Sequence, residues 1–199
     1  ADRMGLAPTG AVARLNLGRA LLRMGQLEEA AKVVRAASAT FQAQKSARLE
    51  SAARGYLSQI LLADGDLEGA LAEASAALET APALPERAYA SAVRAYAWLA
   101  KQRIDEAVTD ATTGVSLLDE LGGIDEGELL IRLVFAKALA AADRRDEAIA
   151  AIRFAHDRLV ARLGTIKSAS LRRSLVSRIP EHRELVELAV GWAGLDVPG

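Results

Sequence analysis

His156 and His182 are the only two histidines in this 199-residue chain, and imidazole is the side chain best able to move a proton or hold a metal near neutral pH. Neither belongs to a His-Glu-x-x-His arrangement, and neither has a nucleophile or a second ligand at the spacing that catalysis or zinc binding needs. The absence of cysteine removes disulfides, thiolate metal sites and a cysteine nucleophile, and fits a reducing compartment. One stretch, Asp64-Gly65-Asp66-Leu67-Glu68-Gly69, has oxygen-bearing residues at alternate places and glycine at the sixth, as a calcium loop would begin. Its twelfth place is Ser75, where such a loop needs a bidentate glutamate. No glycine-rich phosphate loop occurs, and the scattered Ser and Asp residues define no triad. The chain is expected to be no enzyme and to carry neither metal nor cofactor. What remains for its polar side chains is recognition.

The scaffold for recognition lies in a repeat. Small and large apolar residues recur four times around Ala30, Ala70, Ala107 and Ala148, at spacings of 40, 37 and 41 residues. Twelve positions before each anchor stands a small residue (Gly18, Ser58, Ala95, Ala136), and seven after it another (Ala37, Ala77, Gly114, Ala155). Nine before it is a large apolar residue (Leu21, Leu61, Trp98, Leu139), and three before it Leu27, Leu67 and Ile104, a rule that Arg145 breaks. A period of this length marks stacked helical hairpins, each too small to bury its own apolar face. The small residues let helices approach, and the large ones fill the space between them.

Polar turns separate the two halves of each copy: Met24-Gly25-Gln26, Asp64-Gly65-Asp66, Lys101-Gln102-Arg103 and Asp143-Arg144-Arg145. Glycine suits such a helix end because it adopts the left-handed backbone without steric cost, yet only two copies have it. Acids follow each turn (Glu28, Glu29, Glu68, Asp105, Glu106, Asp146, Glu147), where the helix dipole favours negative charge.

This pattern resembles the tetratricopeptide repeat family. The first copy matches through Leu17-Gly18, Leu21, Gly25, Leu27, Ala30 and Ala37, and the second through Leu57, Leu61, Gly65, Leu67, Ala70, Ala77 and Pro82. The third and fourth are looser, with Arg94 and Arg145 at places the family usually makes apolar. The resemblance spans roughly residues 12 to 163. It implies an all-α, right-handed superhelical solenoid of about four antiparallel helix pairs with C-terminal capping helices. The expected organisation is a linker over 1–10, repeats over 11–46, 47–84, 85–123 and 124–163, and a cap and tail over 164–199.

Alanine-rich composition with few β-branched residues supports helix throughout. The periodicity predicts helices over 11–24, 27–44, 47–64, 67–80, 85–101, 104–120, 126–142 and 146–163, then a short one over 168–177 and a last one opened by Pro180. Lys+Arg is 25 against Asp+Glu 26, so no global attraction draws the chain to nucleic acid or anionic lipid. The most hydrophobic run, Leu129 to Ala142, carries Arg132 and Lys137 and is too short to span a membrane. No secretion signal is visible, and the expected location is cytoplasmic. The start at Ala1 and the linker-like Ala7-Pro8-Thr9-Gly10 suggest a piece of a longer protein, with removal of an initiator methionine as the alternative. Leu171-Arg172-Arg173-Ser174-Leu175 followed by Ile179-Pro180-Glu181 is weakly similar to the tails of helical-repeat regions in large bacterial signalling kinases and ATPases.

In the family, ligands lie in the concave groove lined by the first helix of each pair. Carried over by position, the resemblance implies a groove of Leu15, Arg19, Leu22 and Arg23, then Gln59, Leu62 and Ala63, then Tyr89, Tyr96, Leu99 and Ala100, then Leu133 and Lys137. Such a surface has an apolar floor and three cations, suited to an extended or helical peptide with some acidic groups. The cations could equally be solvated or paired within the groove. A second row, Arg14, Arg54 and Arg132, with Ser91 in the third copy, could read phosphate or carboxylate groups bidentately. The simpler expectation is that its stems pack along the helices and its heads meet neighbouring acids. The leading reading is a non-catalytic protein- or peptide-binding module, a regulatory or scaffolding region of a larger bacterial signalling protein. The competing one is an intramolecular sensor or spacer that packs on its own catalytic neighbour or binds a small effector. RNA-binding repeats would need a basic groove, which the balanced charge argues against.

Overall fold

The computed structural model describes residues 6–198, and among these it contains ten helices: α1 (Leu6–Arg23), α2 (Leu27–Ala43), α3 (Ala47–Asp64), α4 (Leu67–Thr80), α5 (Leu84–Ala100), α6 (Ile104–Glu120), α7 (Glu128–Ala141), α8 (Arg145–Gly164), α9 (Ala169–Arg178) and α10 (Pro180–Ala193). Residues 1–5 of the expected linker lie outside the described residues. Residues 6–10 are helical, because α1 begins at Leu6, ahead of the expected start at 11. Pro8 sits in its first turn, where a missing N–H breaks no helical bond. The first eight helices form four antiparallel pairs, and α1, α3, α5 and α7 also touch in series as an inner layer. The helix α10 contacts both α8 and α7, and so takes the seat of the next inner helix. The result is an all-α repeat solenoid.

The repeat positions carry this architecture sterically. Ala30, Ala70, Ala107 and Ala148 are all 0% exposed, and the second row of small residues (Ala37, Ala77, Gly114, Ala155) is buried with them. A Cβ on Gly114 would stand 3.0 Å from the Ala88 carbonyl oxygen and 3.4 Å from the Ala92 nitrogen, backbone atoms that cannot rotate away. On Gly18 it would collide with a Val34 methyl. Ser58, the polar member of its row, donates its hydroxyl to the Ala70 carbonyl at 2.7 Å, so its burial leaves no orphan hydroxyl there.

The two loose copies keep the geometry by other means. Arg94, at an apolar place, forms a bidentate pair with the buried Asp110 carboxylate at 2.6 and 2.7 Å, inside the third pair. Arg145 lies over the Trp192 ring of α10, 5.0 Å from its centroid, a cation–π contact in place of an aliphatic one.

All four turns share one backbone solution. The residue after each turn's left-handed position donates its N–H to a carbonyl five residues back: Gln26 to Leu21, Asp66 to Leu61, Arg103 to Trp98 and Arg144 to Leu139, at 2.9–3.0 Å. Gly25 and Gly65 take the left-handed position at φ 72° and 88°, while Gln102 and Asp143 are forced into it at 59° and 58°. A left-handed residue with a Cβ costs about 1–2 kcal/mol. Gln102→Gly should therefore stabilise the protein by about 1 kcal/mol after glycine's extra unfolded-state entropy is deducted. In a thermal melt this raises Tm by about 2–4 °C; an unchanged or lower Tm shows that the turn holds no strain. The Asp64–Gly69 stretch is one of these turns. Its Asp66 carboxylate accepts from the Gly69 N–H at 2.9 Å as the N-cap of α4, which accounts for its oxygens without calcium.

Candidate functional site

The inner layer brings most of the expected groove residues together. Arg19, Leu22, Arg23, Gln59, Leu62, Ala63, Tyr89 and Tyr96 line one cavity of about 360 Å³. Leu15 borders an adjoining space of about 530 Å³. Arg19, Gln59, Tyr96 and Lys137 share one register on successive inner helices, and Lys137 reaches the group through the Tyr96 hydroxyl at 3.3 Å. Leu99 is half-buried against the core of the third pair, and Ala100 is half-buried at the end of α5. Leu133 is a correction: it is 1% exposed and belongs to the core with Ile152 and Leu185. The reason is α10, which covers α7 where an open groove would need bare surface.

The groove is not one open trough. The helix α7 starts at Glu128 rather than 126, because Gly127 takes φ 89° and turns the chain in from the residues before it. This loop, Ile124 to Gly127, lies against the inner layer, and its Glu126 borders three cavities of about 530, 360 and 160 Å³. The Tyr56 hydroxyl donates to the Glu126 carboxylate at 2.6 Å. Arg19 pairs with the same carboxylate and stacks on Tyr56, 4.7 Å from the ring centroid. The Tyr56 and Tyr89 rings meet tilted at 5.9 Å, and Gln59 donates its amide to the Tyr89 hydroxyl at 2.5 Å. Tyr89 stands between two glycines. A Cβ on Gly55 would be 3.1 Å from its ring, and one on Gly127 only 2.6 Å.

Electrostatics follow from this enclosure. Burial pushes the Tyr56 phenol upward, aided by Tyr89 and by its hydrogen bond to Glu126 and opposed by Arg19. Burial also raises Tyr89, against the neighbouring Tyr56 hydroxyl and the hydrogen bond from Gln59. Both phenols are therefore neutral donors at physiological pH. Burial works against the Lys137 charge, but Glu184 of α10 pairs with it and holds the ammonium above its ordinary range; the Tyr96 ring lies 4.6 Å away. Arg23 is exposed beside Pro180 and Glu181 at the rim.

Two arginines of the second basic row are internally satisfied. Arg54 is held by Glu50 at 3.0–3.1 Å and by Glu73 at 3.1 Å. Arg132 is held by Glu128 and Asp119, each at 3.1 Å, while Ser91 is 1% exposed. Arg14 lies exposed on α1. The two histidines serve separate structural roles. His156 donates from Nε2 to the Asp196 carbonyl at 3.0 Å, holding the C-terminal tail on α8. His182 Nδ1 lies 3.1 Å from the Leu175 carbonyl, and burial pushes its imidazole below the usual histidine range, with Arg162 and Arg23 adding to that against Glu181.

Sequence reasoning missed Tyr56, Glu126, Leu130 and Glu181. Leu130 was recoverable, because it holds the same register as Tyr89 in the fourth copy. Tyr56 was not, because its counterparts Val93 and Val134 are 1% and 0% exposed, so the register alternates between groove and core. Glu126 and Glu181 lie outside the repeat.

Comparison with known proteins yields a fold. No family model matches the chain, and no curated protein matches it. Solved structures do match it, among them two of the nearly identical TPR-like repeats of a Podosopora anserina protein described as a kinesin light chain. One, a variant with methionine in place of a glutamine, aligns with TM-score 0.60 at 19% identity over 96% of this chain and 90% of the other. The second aligns with TM-score 0.59 at 19% identity over 94% and 88%. The likeness establishes a TPR-like repeat solenoid.

Proposed function

We propose that this solenoid is a non-catalytic module that binds a protein or peptide in its inner groove. The observation that carries this reading is the lining of one cavity on the inner layer, three tyrosines, leucines, Arg19 and Arg23 gathered from successive inner helices, with Lys137 beside Tyr96. Aromatic anchors beside cations recognise extended segments with acidic side chains. The finer reading is a regulatory or scaffolding role within a larger bacterial signalling protein, acting in the cytoplasm. Its support is compositional and rests on the tail around Leu171 to Glu181. No helix among the described residues is long and apolar enough to cross a membrane.

The test must spare the internal pairs. Reversing Arg19 or Lys137 sets like charges against Glu126 and Glu184, so a loss of binding would mix with a loss of structure. Arg23→Glu combined with Leu62→Ala changes only exposed and half-buried positions on the rim and floor. Partners co-purified with the wild-type chain should fall about tenfold or more with the double variant at unchanged helicity, as one charge reversal and one anchor truncation of about 1 kcal/mol each together imply. Unchanged recovery removes the groove from the account.

One observation favours the second reading, an intramolecular sensor or spacer. Two of the three groove cations meet carboxylates of the chain's own loop and cap. In that case the solenoid associates in trans with the neighbouring domain of its parent chain, and no separate partner is recovered.

A further inference from the structure

Two carboxylates from outside the repeat each pair with a cation of the inner-helix register. Glu126, on the loop before α7, meets Arg19 and accepts from the Tyr56 hydroxyl. Glu184, on α10, meets Lys137 beside Tyr96. The pairs lie on inner helices at either end of the array. We infer that Glu126 is a built-in occupant of the ligand's carboxylate subsite, so that an acidic peptide side chain binds by displacing the Ile124–Gly127 loop from Arg19 and Tyr56. This inference rests on the groove being the binding surface and adds what the groove selects and what it must release.

The physical case has three parts. First, the Arg19 side chain is 26% exposed and its guanidinium carbon sits over the Tyr56 ring, a contact that holds it in place when the loop leaves. The Tyr56 hydroxyl is a neutral donor aimed at the same point, and together they form a ready two-donor seat for one carboxylate. Second, the Glu126 side chain is 59% exposed. An ion pair this open to water is weak, so the occupant is held firmly enough to fill the seat and loosely enough to yield it. Third, a ligand without an acidic group cannot replace what it removes. It leaves Arg19 and Tyr56 without their acceptor, and that penalty excludes it. Lodging the backbone of Gly127 against the Tyr89 ring ties loop release to that ring, so a displaced loop also uncovers aromatic surface for the rest of the peptide.

The experiment separates the subsite from the wider function. Glu126→Ala removes the occupant while keeping Arg19 and Tyr56, and propionate is a probe that reproduces the missing side chain. Propionate should raise the Tm of Glu126→Ala in proportion to its concentration, and propionamide, its neutral isostere, should not. Wild type and the double variant Arg19→Ala/Glu126→Ala should show no difference between the two compounds. Equal responses to propionate and propionamide in Glu126→Ala overturn the carboxylate subsite, whatever partners the chain recovers. A second measurement addresses displacement. A fluorescein-labelled acetyl-Leu-Glu-Leu-Glu-Leu-Glu peptide should bind Glu126→Gln about three- to fivefold more tightly than wild type, the range set by a partly exposed ion pair. Equal or weaker binding to Glu126→Gln shows that Glu126 does not compete for the seat. The Arg23→Glu/Leu62→Ala pull-down can fail while propionate still distinguishes the variants, so the two readings fall separately.

Discussion

Glu128→Ala should lower the unfolding free energy by about 3 kcal/mol, at the lower end of the range for breaking a buried ion pair. One carboxylate there serves two arginines: Oε1 accepts from Arg132 Nε at 3.1 Å and Arg158 Nε at 2.7 Å, and Oε2 accepts from Arg158 Nη2 at 3.0 Å. Arg158 is 42% exposed and can turn to water, but the Arg132 side chain is 9% exposed and covered by the Phe154 ring, 4.5 Å from its centroid. Without Glu128 the carboxylate left on Arg132 is Asp119 of α6, across the junction at 3.1 Å and itself 57% exposed. The damage falls at the junction of the third and fourth pairs, and the loop holding Glu126 ends one residue earlier. Urea denaturation measures the loss; a change below about 1 kcal/mol would mean that water reaches Arg132 and the junction tolerates its charge. Acid gives an independent check. Burial pushes the Glu128 carboxyl up, but hydrogen bonds from Arg158 and Arg132 outweigh it and hold the group below the ordinary carboxylate range. The unfolded chain therefore takes up this proton first. Stability from the cluster is complete above the unfolded carboxylate pKa and is lost as pH falls through the folded one, so Glu128→Gln should flatten that part of the acid-unfolding curve.

Phe41→Ala is expected to cost about 3–5 kcal/mol, the range for truncating a fully enclosed phenylalanine, and to do so locally. Phe41 is 0% exposed at the end of α2, and its carbonyl also accepts from Ser46 N–H in the turn to α3 at 2.9 Å. It packs in a core made by the first two pairs, with Val34, Leu57 and Ile60, whereas Leu159 and Leu185 belong to a separate core under α10. A stack whose pairs touch only their neighbours unfolds in sections when one junction is weakened. Hydrogen exchange should therefore show faster opening of α1 and α2 with unchanged protection of α7, α8 and α10. Uniform loss of protection would show that the array melts as one unit.

The architecture was readable because its determinants are local and recur. Ala30, Ala70, Ala107 and Ala148 are each small for the same reason, a close helix crossing, and four occurrences of one steric need outweigh departures such as Arg145. The turns were readable in position but not in mechanism. Gln102 and Asp143 hold the left-handed conformation that glycine favours, because the same N–H to carbonyl bond closes every copy. The row Arg14, Arg54 and Arg132 was readable further: the simpler expectation, that its heads meet neighbouring acids, holds for Arg54 and Arg132, which Glu50 and Glu128 answer from one turn earlier.

The groove separates the two levels of information. Small–large periodicity gives Arg19, Gln59, Tyr96 and Lys137 one register, and the family resemblance implied that this register faces the groove. Which partners those side chains meet depends on how pair packs upon pair, and no single repeat specifies it. Stacking brings the loop before α7, with Glu126, to Arg19, while α10, packed on α7, brings Glu184 to Lys137 and covers Leu133. A carboxylate carries no periodic signature, so its opposition to a distant cation is settled only when the stack has closed around both.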